Sequence, residues 1–535
     1  MSKKIISIVM IFVLAITLTF SSLSFATYKE EYINVGLTRP LKSNYQVKLS
    51  SNNSFKLINI DKDVEEIAKI DYSSIVVKLA NNYIESDNNY YNTVKDNRFY
   101  YIELNENFND YSDVLDYIKY LKKEGIEAYP AYYEGEYRIW IGQFDNKGDA
   151  IDTGEEYDNI INNEFHIIEA NNYLIIEDGK GERIFAFNVD SNLILETEDD
   201  IIKVENTSYR DHIMFNIYKD KLVVINHVLI DHYLYGVVPK EMSPSWPMEA
   251  LKAQSVAARN FMLLYIGRHS EKGYDLCDTS HCQVYGGFDL ENIRSNEAVD
   301  LTRDKLLKYD DKLVYTYYHS SSGGYTESSE NVWSNEVPYL KATDDQFSIG
   351  SPNDNWKIVL SKDEVKDKLK ENSIDVGEII SISPTKVSET GRVIELEIVG
   401  SRGVERLEKN KMREVFGYNT LKSTLFETKT DGDVYVMSGN SSEPIKMNIS
   451  NARILSGYQD KRPTRSFVRR DNNNIAVFNG EEINKMSINP DVYVFEGKGW
   501  GHGIGMSQWG AKKMAELGYT YEEILEYYYN GTKVE

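Results

Sequence analysis

The sequence predicts a multidomain α+β protein, and three observations support this fold class. Residues 32–60 alternate apolar and polar side chains between Ser-Asn turns, which is typical of three short strands. Residues 99–156 change from the twofold period of a strand to the period of a helix and back again. The chain has 535 residues, which is too long for one ordinary core and sufficient for two to four domains.

Composition limits the kinds of partner. Hydrophobic residues make up 41% of the chain and aromatic residues 12%, so most of it can bury enough apolar surface to fold. The formal net charge of −24 argues against nucleic acid, because a phosphate backbone requires a basic surface. The same charge argues against simple electrostatic attraction to anionic lipid or anionic wall polymers.

The N-terminus has the pattern of a secretory signal. Two lysines precede an apolar run over residues 5–20, and the small residues Ser24 and Ala26 follow. We predict that residues 1–26 are a signal peptide or an anchor, because residues 5–26 together are also long enough to span a bilayer. The small residues favour cleavage, and in either case the remainder is expected to work outside the cytoplasmic membrane.

Two β-rich regions are predicted on either side of the block at residues 96–165. Residues 27–95 form a β-rich N-terminal region that ends in an Asn- and Asp-rich linker, at about residues 85–97. Residues 166–205 form a β-rich connecting region, with strand-like runs such as NYLIIED and RIFAFNV.

Residues 96–165 have the element order β-α-β-β-α. A strand at 99–104 precedes a helix that ends at Gly125, a hairpin covers 127–133 and 137–143, and a second helix begins near Asn146. The segments LKKEGIEAY and YRIWIGQF resemble the SPOR domain, a small peptidoglycan-binding module of ferredoxin-like fold. Glu103 and Asn105 stand where that family usually has a Gln-containing strand that ends in Gly. The alternative is a structural α+β spacer.

The run YLYGVVPKEMSPSWPMEALKAQSVAARNF contains a carboxylate, Glu241, and the positions three and four residues before and after it hold no basic residue. Strands before it, with a hairpin turn at Lys219 and Asp220, predict that Val237 and Val238 end a β-layer just before Glu241. A helix is then predicted to start at Pro247.

The helix after Pro247 carries two stripes of side chains. Its apolar face is formed by Leu251, Ala258, Phe261 and Tyr265. Lys252, Ser255 and Arg259 share another stripe, so the two cations either face solvent or line a cleft for an anionic sugar.

The chain has two cysteines, Cys277 and Cys282, in the run GYDLCDTSHCQVYGG. One interpretation is a disulfide, which would close a very short loop and stabilise the fold little. The other is a zinc site that includes His281 and, eight residues before the first cysteine, His269. The spacing leaves both interpretations open.

Two further runs contain candidate sugar-binding residues. The first, HSSSGGYTESS, is rich in hydroxyl groups, which suit either turn chemistry or sugar recognition; its candidates are Ser320, Ser321, Ser322 and Tyr325. The second, GKGWGHGIGMSQWG, allows close backbone approach and presents Trp500 and His502 to a sugar, unless His502 is a packed structural residue. It is not a nucleotide-binding loop, because no βαβ unit accompanies it. Thr520 and Glu523 predict a capping box for the last helix.

Three long segments together resemble the SpoIID/LytB domain of the stage II sporulation protein D and amidase-enhancer family. They are the run around Glu241, the run YYHSSSGGYTESSENVWSNEVPYLKATDD, and the C-terminal run from FEGKGWGHG onwards, and they place the domain at residues 206–535. The resemblance implies an α+β catalytic domain, rich in strands, in an exported protein of the cell wall or of the outer face of the cytoplasmic membrane, with a role in sporulation, cell separation or wall turnover. Some members of the family bind a metal ion near the position of Cys277 and Cys282, so the resemblance gives partial support to a structural zinc ion. It implies no cofactor for the chemistry.

The resemblance implies a peptidoglycan lytic transglycosylase that cleaves glycan strands lacking stem peptides and forms 1,6-anhydro-muramic ends. Glu241 would be its general acid, and such a reaction needs no second carboxylate because a sugar hydroxyl replaces water. Apolar neighbours such as Val238 and Trp246 favour the neutral acid, whereas the N-terminus of the next helix favours the anion. The alternatives are a non-catalytic enhancer of a wall amidase and a wall-binding scaffold. A serine hydrolase lacks support, since no Gly-x-Ser-x-Gly run occurs.

Overall fold

The structure, a computed structural model, describes most of the chain after its N-terminal segment. The described residues are 32–60, 65–81, 99–104, 108, 110–161, 165–333, 335–436, 445–448, 474–478, 483–487 and 490–535. The predicted signal segment, the predicted linker at 85–97 and Asn105 therefore lie outside the described residues. Within the described ranges, no helix is both long and apolar enough to cross a membrane.

The chain forms two compact units. The first contains the residues up to Glu241 together with Tyr265–Asn296, and the second contains Met242–Leu264 and Glu297–Glu535. Both units mix strands and helices, as the predicted α+β class requires.

The first unit is built mainly of strands. Its strands are β1 (Tyr32–Leu37), β2 (Gln46–Ser50), β3 (Phe55–Asn59), β4 (Glu65–Ile70), β5 (Ser74–Leu79), β6 (Tyr100–Leu104), β7 (Ala128–Tyr133), β8 (Glu136–Phe144), β9 (Phe165–Glu169), β10 (Tyr173–Asp178), β11 (Arg183–Asn188), β12 (Leu193–Thr197), β13 (Ile201–Val204), β14 (Thr207–Arg210), β15 (His212–Tyr218), β16 (Lys221–Leu229) and β17 (Leu276–Cys277). Its helices are α1 (Tyr111–Lys123), α2 (Lys147–Glu156), α3 (Asp158–Ile161) and α4 (Ile230–Glu241).

A seven-stranded sheet of the first unit carries the elements that lead to the candidate site. Its order is β17-β1-β16-β15-β12-β3-β4. Strand β1 pairs in antiparallel fashion with β16 and in parallel fashion with β17, so that Gly36 lies beside Cys277. A Cβ atom on Gly36 would lie 2.5 Å from the Tyr274 ring, so only glycine admits this close approach.

A ten-stranded sheet contains the predicted β-α-β-β-α block. Strands β7, β8, β6 and β9 are neighbours in that order, and all three pairs are antiparallel. Helix α1 begins after the side chain of Asp110, which caps it, and helix α2 begins after Asn146. The element order expected from the periodicity is confirmed, and β9 adds a further strand to it.

Glu103 has a structural position inside this sheet. Its side chain is fully buried, and its carboxylate accepts hydrogen bonds from Trp140 Nε1 at 2.7 Å and from the Tyr133 hydroxyl at 3.0 Å. His166 Nε2 lies 3.1 Å from the same carboxylate. A buried carboxylate with three polar neighbours is satisfied, so this unusual residue anchors the core of the block.

Helix α4 corrects one sequence-based expectation. Val237 and Val238 were expected to end a strand, but β16 ends at Leu229 and residues Ile230–Glu241 are helical. Positions i, i+3, i+4, i+7 and i+8 of this helix are buried; these are Ile230, Tyr233, Leu234, Val237 and Val238. The apolar stripe explains the helix, which forms although Pro239, near its C-terminal end, lacks a backbone N–H.

The second unit has several small sheets around its helices. Its strands are β18 (Leu307–Tyr309), β19 (Lys312–Leu313), β20 (Tyr318–His319), β21 (Trp356–Ser361), β22 (Ile379–Val387), β23 (Val393–Gly400), β24 (Gly403–Glu408), β25 (Phe426–Thr430), β26 (Asp433–Val436), β27 (Ile445–Asn448), β28 (Asn474–Phe478), β29 (Ile483–Ser487), β30 (Val492–Gly497), β31 (Met506–Ser507) and β32 (Lys533–Val534). Its helices are α5 (Met248–Tyr265), α6 (Ile293–Leu301, which begins in the first unit), α7 (Ser329–Val332), α8 (Lys362–Glu371), α9 (Lys411–Phe416), α10 (Gln508–Glu516) and α11 (Tyr521–Tyr528).

Helix α5 is the central helix of this unit, and its burial differs from the expected pattern. Ser255 and Arg259, expected on a solvent or cleft stripe, are both buried. The Arg259 guanidinium donates hydrogen bonds to the carbonyl oxygens of Thr302 at 2.7 Å and Lys305 at 3.4 Å. Helix α5 is packed on several sides, so the polar side chains that the sequence placed on an accessible face are covered. The capping box predicted at Thr520 and Glu523 is present at the start of α11.

Candidate functional site

Glu241 is the last residue of α4 and lies on its buried side. It follows Val237 and Val238 by four and three positions, so the carboxylate continues the apolar stripe to the helix end. Its side chain is half-buried. Glu241 therefore lies at the C-terminal end of a helix, with part of its side chain accessible to solvent.

Tyr233 links Glu241 to the cysteine-containing loop of the first unit. Its buried hydroxyl donates to Gln283 Oε1 at 3.3 Å. Burial raises the pKa of Tyr233 well above its usual value, and the nearby Cys282, Glu241 and Cys277 raise it further. A neutral phenol therefore lies between the candidate acid and the candidate metal ligands.

The same loop is held tightly against α4. The Gly286 N–H donates to the Gly236 carbonyl at 3.0 Å, and the Tyr285 hydroxyl donates to Asn226 Oδ1 at 2.8 Å. The start of the loop is held by Asp278, which accepts hydrogen bonds from the Thr38 hydroxyl at 2.5 Å and from two backbone N–H groups. These contacts fix the position of the helix that ends at Glu241.

The four predicted metal ligands come together in this loop. The candidate ligand atoms of His269, Cys277, His281 and Cys282 all lie within 4.8 Å of one another. Cys282 Sγ lies 3.4 Å from His269 Nε2 and 3.7 Å from His281 Nδ1, and Cys277 Sγ lies 3.8 Å from His281 Nδ1. Both cysteines are free thiols, so the structure contains no disulfide between them.

The three sulfur–nitrogen distances fit a tetrahedral zinc ion. Zinc bonds of 2.0–2.3 Å to nitrogen and sulfur give ligand separations of about 3.3 to 3.8 Å. Burial raises the pKa of Cys282 to about 11, so a cation would be needed to stabilise its thiolate. A metal on His281 Nδ1 would leave the proton on Nε2, so the 3.2 Å contact of Arg268 with Nε2 would have to open. Both side chains are exposed and can move.

In the second unit, the serine-rich and glycine-rich runs lie side by side. Strand β20 pairs in parallel fashion with β31, and Ser321 exchanges two backbone hydrogen bonds with Trp500 at 3.1 and 2.8 Å. Ser322 is buried and donates to Asp345 Oδ2 at 2.6 Å. Ser321 is also buried, whereas Ser320 is half-buried. The solvent-facing candidates are Tyr325, which is 50% exposed, and Trp500, which is 37% exposed.

His502 is packed among other rings. It lies 5.4 Å from Trp333 and 5.5 Å from His319 between ring centroids, and its Nδ1 accepts a hydrogen bond from Ile504 N–H at 3.0 Å. Burial lowers the pKa of His502 to about 3, and the nearby Arg413 and Arg392 lower it further. The imidazole is therefore neutral, which suits a structural acceptor.

Two other cations have defined contacts. Lys252 forms an ion pair with Glu249 at 2.7 Å, and its Nζ lies 5.7 Å from the centroid of the Tyr521 ring. Arg392, which sequence analysis missed, is buried and donates to the carbonyl oxygens of Ser322 at 2.6 Å and Tyr325 at 3.3 Å. No local pattern indicates Arg392, because its role depends on a contact with a distant segment.

A cavity of about 570 Å³ lies beside the glycine-rich run in the second unit. Its lining includes the apolar side chains of Trp356, Leu425 and Phe426 and the charged side chains of Glu496 and Lys498. The cavity therefore combines an apolar wall with groups of both charges.

Comparison with known proteins identifies two matched regions. The sequence model of the Stage II sporulation protein family, SpoIID, matches residues 218–309, which include Glu241 and the four Cys and His residues. A domain of unknown function, DUF8618, matches residues 351–443, which include Arg392.

Several curated proteins are similar to this chain. An uncharacterized protein of Brachyspira hyodysenteriae is 29% identical over 364 residues, which are 68% of this chain and 81% of that protein. The amidase enhancer of Bacillus subtilis is 34% identical over 308 residues, 56% of this chain but only 40% of the enhancer. Stage II sporulation protein D of Bacillus subtilis is 25% identical over 336 residues, 59% of this chain and 78% of that protein. The match to the SpoIID family model thus covers residues 218–309, and the chain is similar over more than half of its length to proteins named amidase enhancer and stage II sporulation protein D.

Proposed function

We propose that this chain is a peptidoglycan lytic transglycosylase that cleaves glycan strands lacking stem peptides, with Glu241 as its general acid. The observation that carries the proposal is the position of Glu241 at the C-terminal end of α4, on the buried stripe, within the matched family region. The Glu241 side chain is half-buried, so a carboxyl group fixed at a helix end remains accessible to a glycosidic oxygen, as a general acid must be.

The proposed reaction needs one titratable group. The Glu241 carboxylic acid donates its proton to the glycosidic oxygen, and the bond from that oxygen to the anomeric carbon of muramic acid breaks. The 6-hydroxyl of the same sugar then bonds to the anomeric carbon and returns its proton to the Glu241 carboxylate. The products are a strand with a 1,6-anhydro-muramic end and a strand with a free 4-hydroxyl. No water is consumed, so no second carboxylate is required to activate one.

A second candidate function is the enhancement of a wall amidase without catalysis. The similarity to a protein named amidase enhancer favours it. A wall-binding scaffold remains the third candidate. Glycan strands stripped by amidase, incubated with residues 27–535 and examined by mass spectrometry, separate these candidates. Anhydro-muramic products support the transglycosylase, whereas their absence together with faster release of stem peptides from intact peptidoglycan by an added amidase supports the enhancer.

The block at residues 96–165 is proposed to be a SPOR-like peptidoglycan-binding module. Support comes from the antiparallel strand order β7-β8-β6-β9 with helices α1 and α2 in the connections, which is the order of a ferredoxin-like fold. Hydrogen exchange of the full chain tests this assignment. Stripped glycan strands should slow exchange in residues 99–169, and unchanged exchange there would leave only the spacer interpretation.

The four Cys and His residues are proposed to hold a structural zinc ion. Two thiolates and two imidazoles would fill its coordination shell, so no open position would remain for water. The ion would tie the loop after α5 together and thereby support the contacts of that loop with α4. The proposed chemistry at Glu241 uses only the sugar and the carboxyl group.

The remaining assignments follow from the proposed activity. We propose that residues 1–26 direct export and that the chain works in the cell wall or at the outer face of the cytoplasmic membrane. Its partners would be peptidoglycan glycan strands and a wall amidase that supplies them. Among the predicted substrate-binding residues, Tyr325 and Trp500 have the exposure that sugar contact requires.

A further inference from the structure

Trp246, Trp509 and Lys512 form an aromatic and cationic cluster in the second unit. The two indole rings lie 4.9 Å apart between centroids, at an angle of 60°. Lys512 Nζ lies 4.7 Å from the Trp509 centroid and 5.5 Å from the Trp246 centroid. All three side chains are half-buried, so each retains a solvent-accessible part. The negative faces of the two rings attract the ammonium group and hold it near them.

Backbone hydrogen bonds hold the two segments that carry these rings, and the rings contact each other. Trp509 is the second residue of α10, and its N–H donates to the Ser320 carbonyl at 3.0 Å. Trp246 lies in the turn before α5, and its N–H donates to the Ser243 carbonyl at 2.9 Å. The aromatic surface is therefore formed before any ligand arrives, which reduces the entropy lost on binding.

The cluster also carries a surplus of positive charge. The Glu516 carboxylate contacts Lys512 at 3.4 Å and Lys513 at 3.5 Å, so one carboxylate is shared by two ammonium groups. This contrasts with the whole chain, in which acidic residues outnumber basic residues by 84 to 60. The Lys512 ammonium has three N–H donors, and its ion pair with Glu516, at i,i+4 on the helix surface, holds it only weakly. Lys512 can therefore bind an anionic group while it remains near the rings.

We infer that this cluster binds the N-acetylmuramic acid units of the glycan strand, with the tryptophan rings against the sugar and Lys512 on the lactyl carboxylate. The inference rests on the proposed function and identifies how a strand without stem peptides is recognised. In an intact strand the lactyl carboxyl group is an uncharged amide. An amidase leaves a free carboxylate in its place, which can accept a charge-assisted hydrogen bond from Lys512. The apolar C–H faces of the sugar pack on the indole rings.

The test compares two glycan strands that differ only in the lactyl group. One carries the free carboxylate and the other carries its methylamide, which has no charge and little added bulk. Calorimetry with Glu241→Gln protein measures affinity without cleavage. We expect the carboxylate strand to bind about fivefold more tightly, and this preference should weaken as salt is added. Equal affinity for the two strands overturns the inference.

Two matched variants in the same background identify the responsible cation. Lys512→Met keeps the length of the side chain and should remove the preference for the carboxylate strand. Lys513→Met removes the same charge from the adjacent position. It should retain the preference, because Lys512, and not Lys513, lies over the Trp246 and Trp509 rings. If Lys513→Met loses as much preference as Lys512→Met, the effect is general electrostatics and the assignment to Lys512 is wrong. If Lys512→Met does not fold, Lys512→Gln, which also removes the charge, takes its place in the comparison with Lys513→Gln.

Failure of the inference is distinguishable from failure of the proposed function. Mass spectrometry of strands treated with the unsubstituted chain reports cleavage, whereas the calorimetry reports recognition. A carboxylate preference without anhydro products would retain the binding site and reject the transglycosylase. Anhydro products without a carboxylate preference would retain the enzyme and reject the role of Lys512.

Discussion

The Tyr285 ring lies directly against Gly236 of helix α4. A Cβ atom at position 236 would lie 2.5 Å from this ring and 3.2 Å from the Gly287 nitrogen. Helix α4 ends at Glu241, and the loop that contains Tyr285 also contains Cys282, so this contact couples the candidate acid to the candidate metal ligands.

Gly236→Ala should therefore destabilise the first unit. Alanine favours a helix by up to about 1 kcal/mol over glycine, but overpacking against a buried ring costs about 1 to 3 kcal/mol. We expect a net loss of about 1 kcal/mol in the free energy of unfolding, measured by urea denaturation. Gly179→Ala is the matched control, because its Cβ would contact nothing within 4 Å. A Gly236→Ala protein as stable as this control would contradict the close contact.

Glu241→Gln should abolish glycan cleavage and leave the fold intact. The amide keeps the shape of the side chain but has no proton of suitable acidity to donate to the glycosidic oxygen. Anhydro-muramic products measured by mass spectrometry should fall by at least about a hundredfold, with an unchanged circular dichroism spectrum. Glu297→Gln, at an exposed position, is the control that should retain activity. Unchanged product yield from Glu241→Gln would reject the acid assignment.

Protein purified without added metal should contain one zinc per chain. Elemental analysis and a count of free thiols after denaturation with chelator test this expectation. Two thiols with one zinc support the site, whereas no metal and no free thiols would mean that the cysteines form a disulfide.

Replacement of both Cys277 and Cys282 by serine should lower stability more than it lowers the activity of each folded molecule. Zinc stabilises the folded chain by about 4 kcal/mol when its free concentration is a thousand times its dissociation constant. Thermal unfolding with and without chelator measures this contribution. The Glu241→Gln protein is the control and should keep its zinc. If the double variant is as stable as the unsubstituted chain, or if each folded molecule loses its activity, a structural role for the ion is wrong.

The stability of the second unit should decrease as pH falls from about 6.5 towards 3, in part through His502. Its pKa is lowered to about 3 in the folded chain, whereas an unfolded histidine titrates near its ordinary value of about 6.5. The unfolded state therefore binds more protons in this range, so stability is present above pH 6.5 and is lost on acidification.

His502→Asn should make this acid dependence weaker. The amide oxygen can accept the hydrogen bond of Ile504 N–H in place of Nδ1, but it does not titrate. The free energy of unfolding should be measured by denaturant at several pH values. Its slope against pH gives the number of protons taken up on unfolding, and this number should be smaller in the variant by up to one. An identical slope in the two proteins would show that His502 titrates alike in the folded and unfolded states.

Local sequence was sufficient for features that depend on neighbours along the chain. Helix α1, the β7–β8 hairpin and the capping box at Thr520 were predictable, because turns, caps and periodicity act over a few residues. The four candidate metal ligands were also predictable, since residues 269–282 form one short segment in which His and Cys spacing limits their separation. The mixed α+β class followed from the same local patterns.

Tertiary structure decided the features that depend on contacts between distant segments. The β-branched run at Val237 and Val238 favoured a strand, but packing of a whole helical stripe around them outweighed that local preference. Arg259 was expected on a polar face and is buried among carbonyl groups because α5 is covered on several sides. Trp246 meets Trp509 and Lys512 only through folding, since the two indoles come from opposite ends of the second unit's sequence. Side-chain periodicity records which face of an element is apolar, whereas the partner of that face is chosen by the packing of the complete chain.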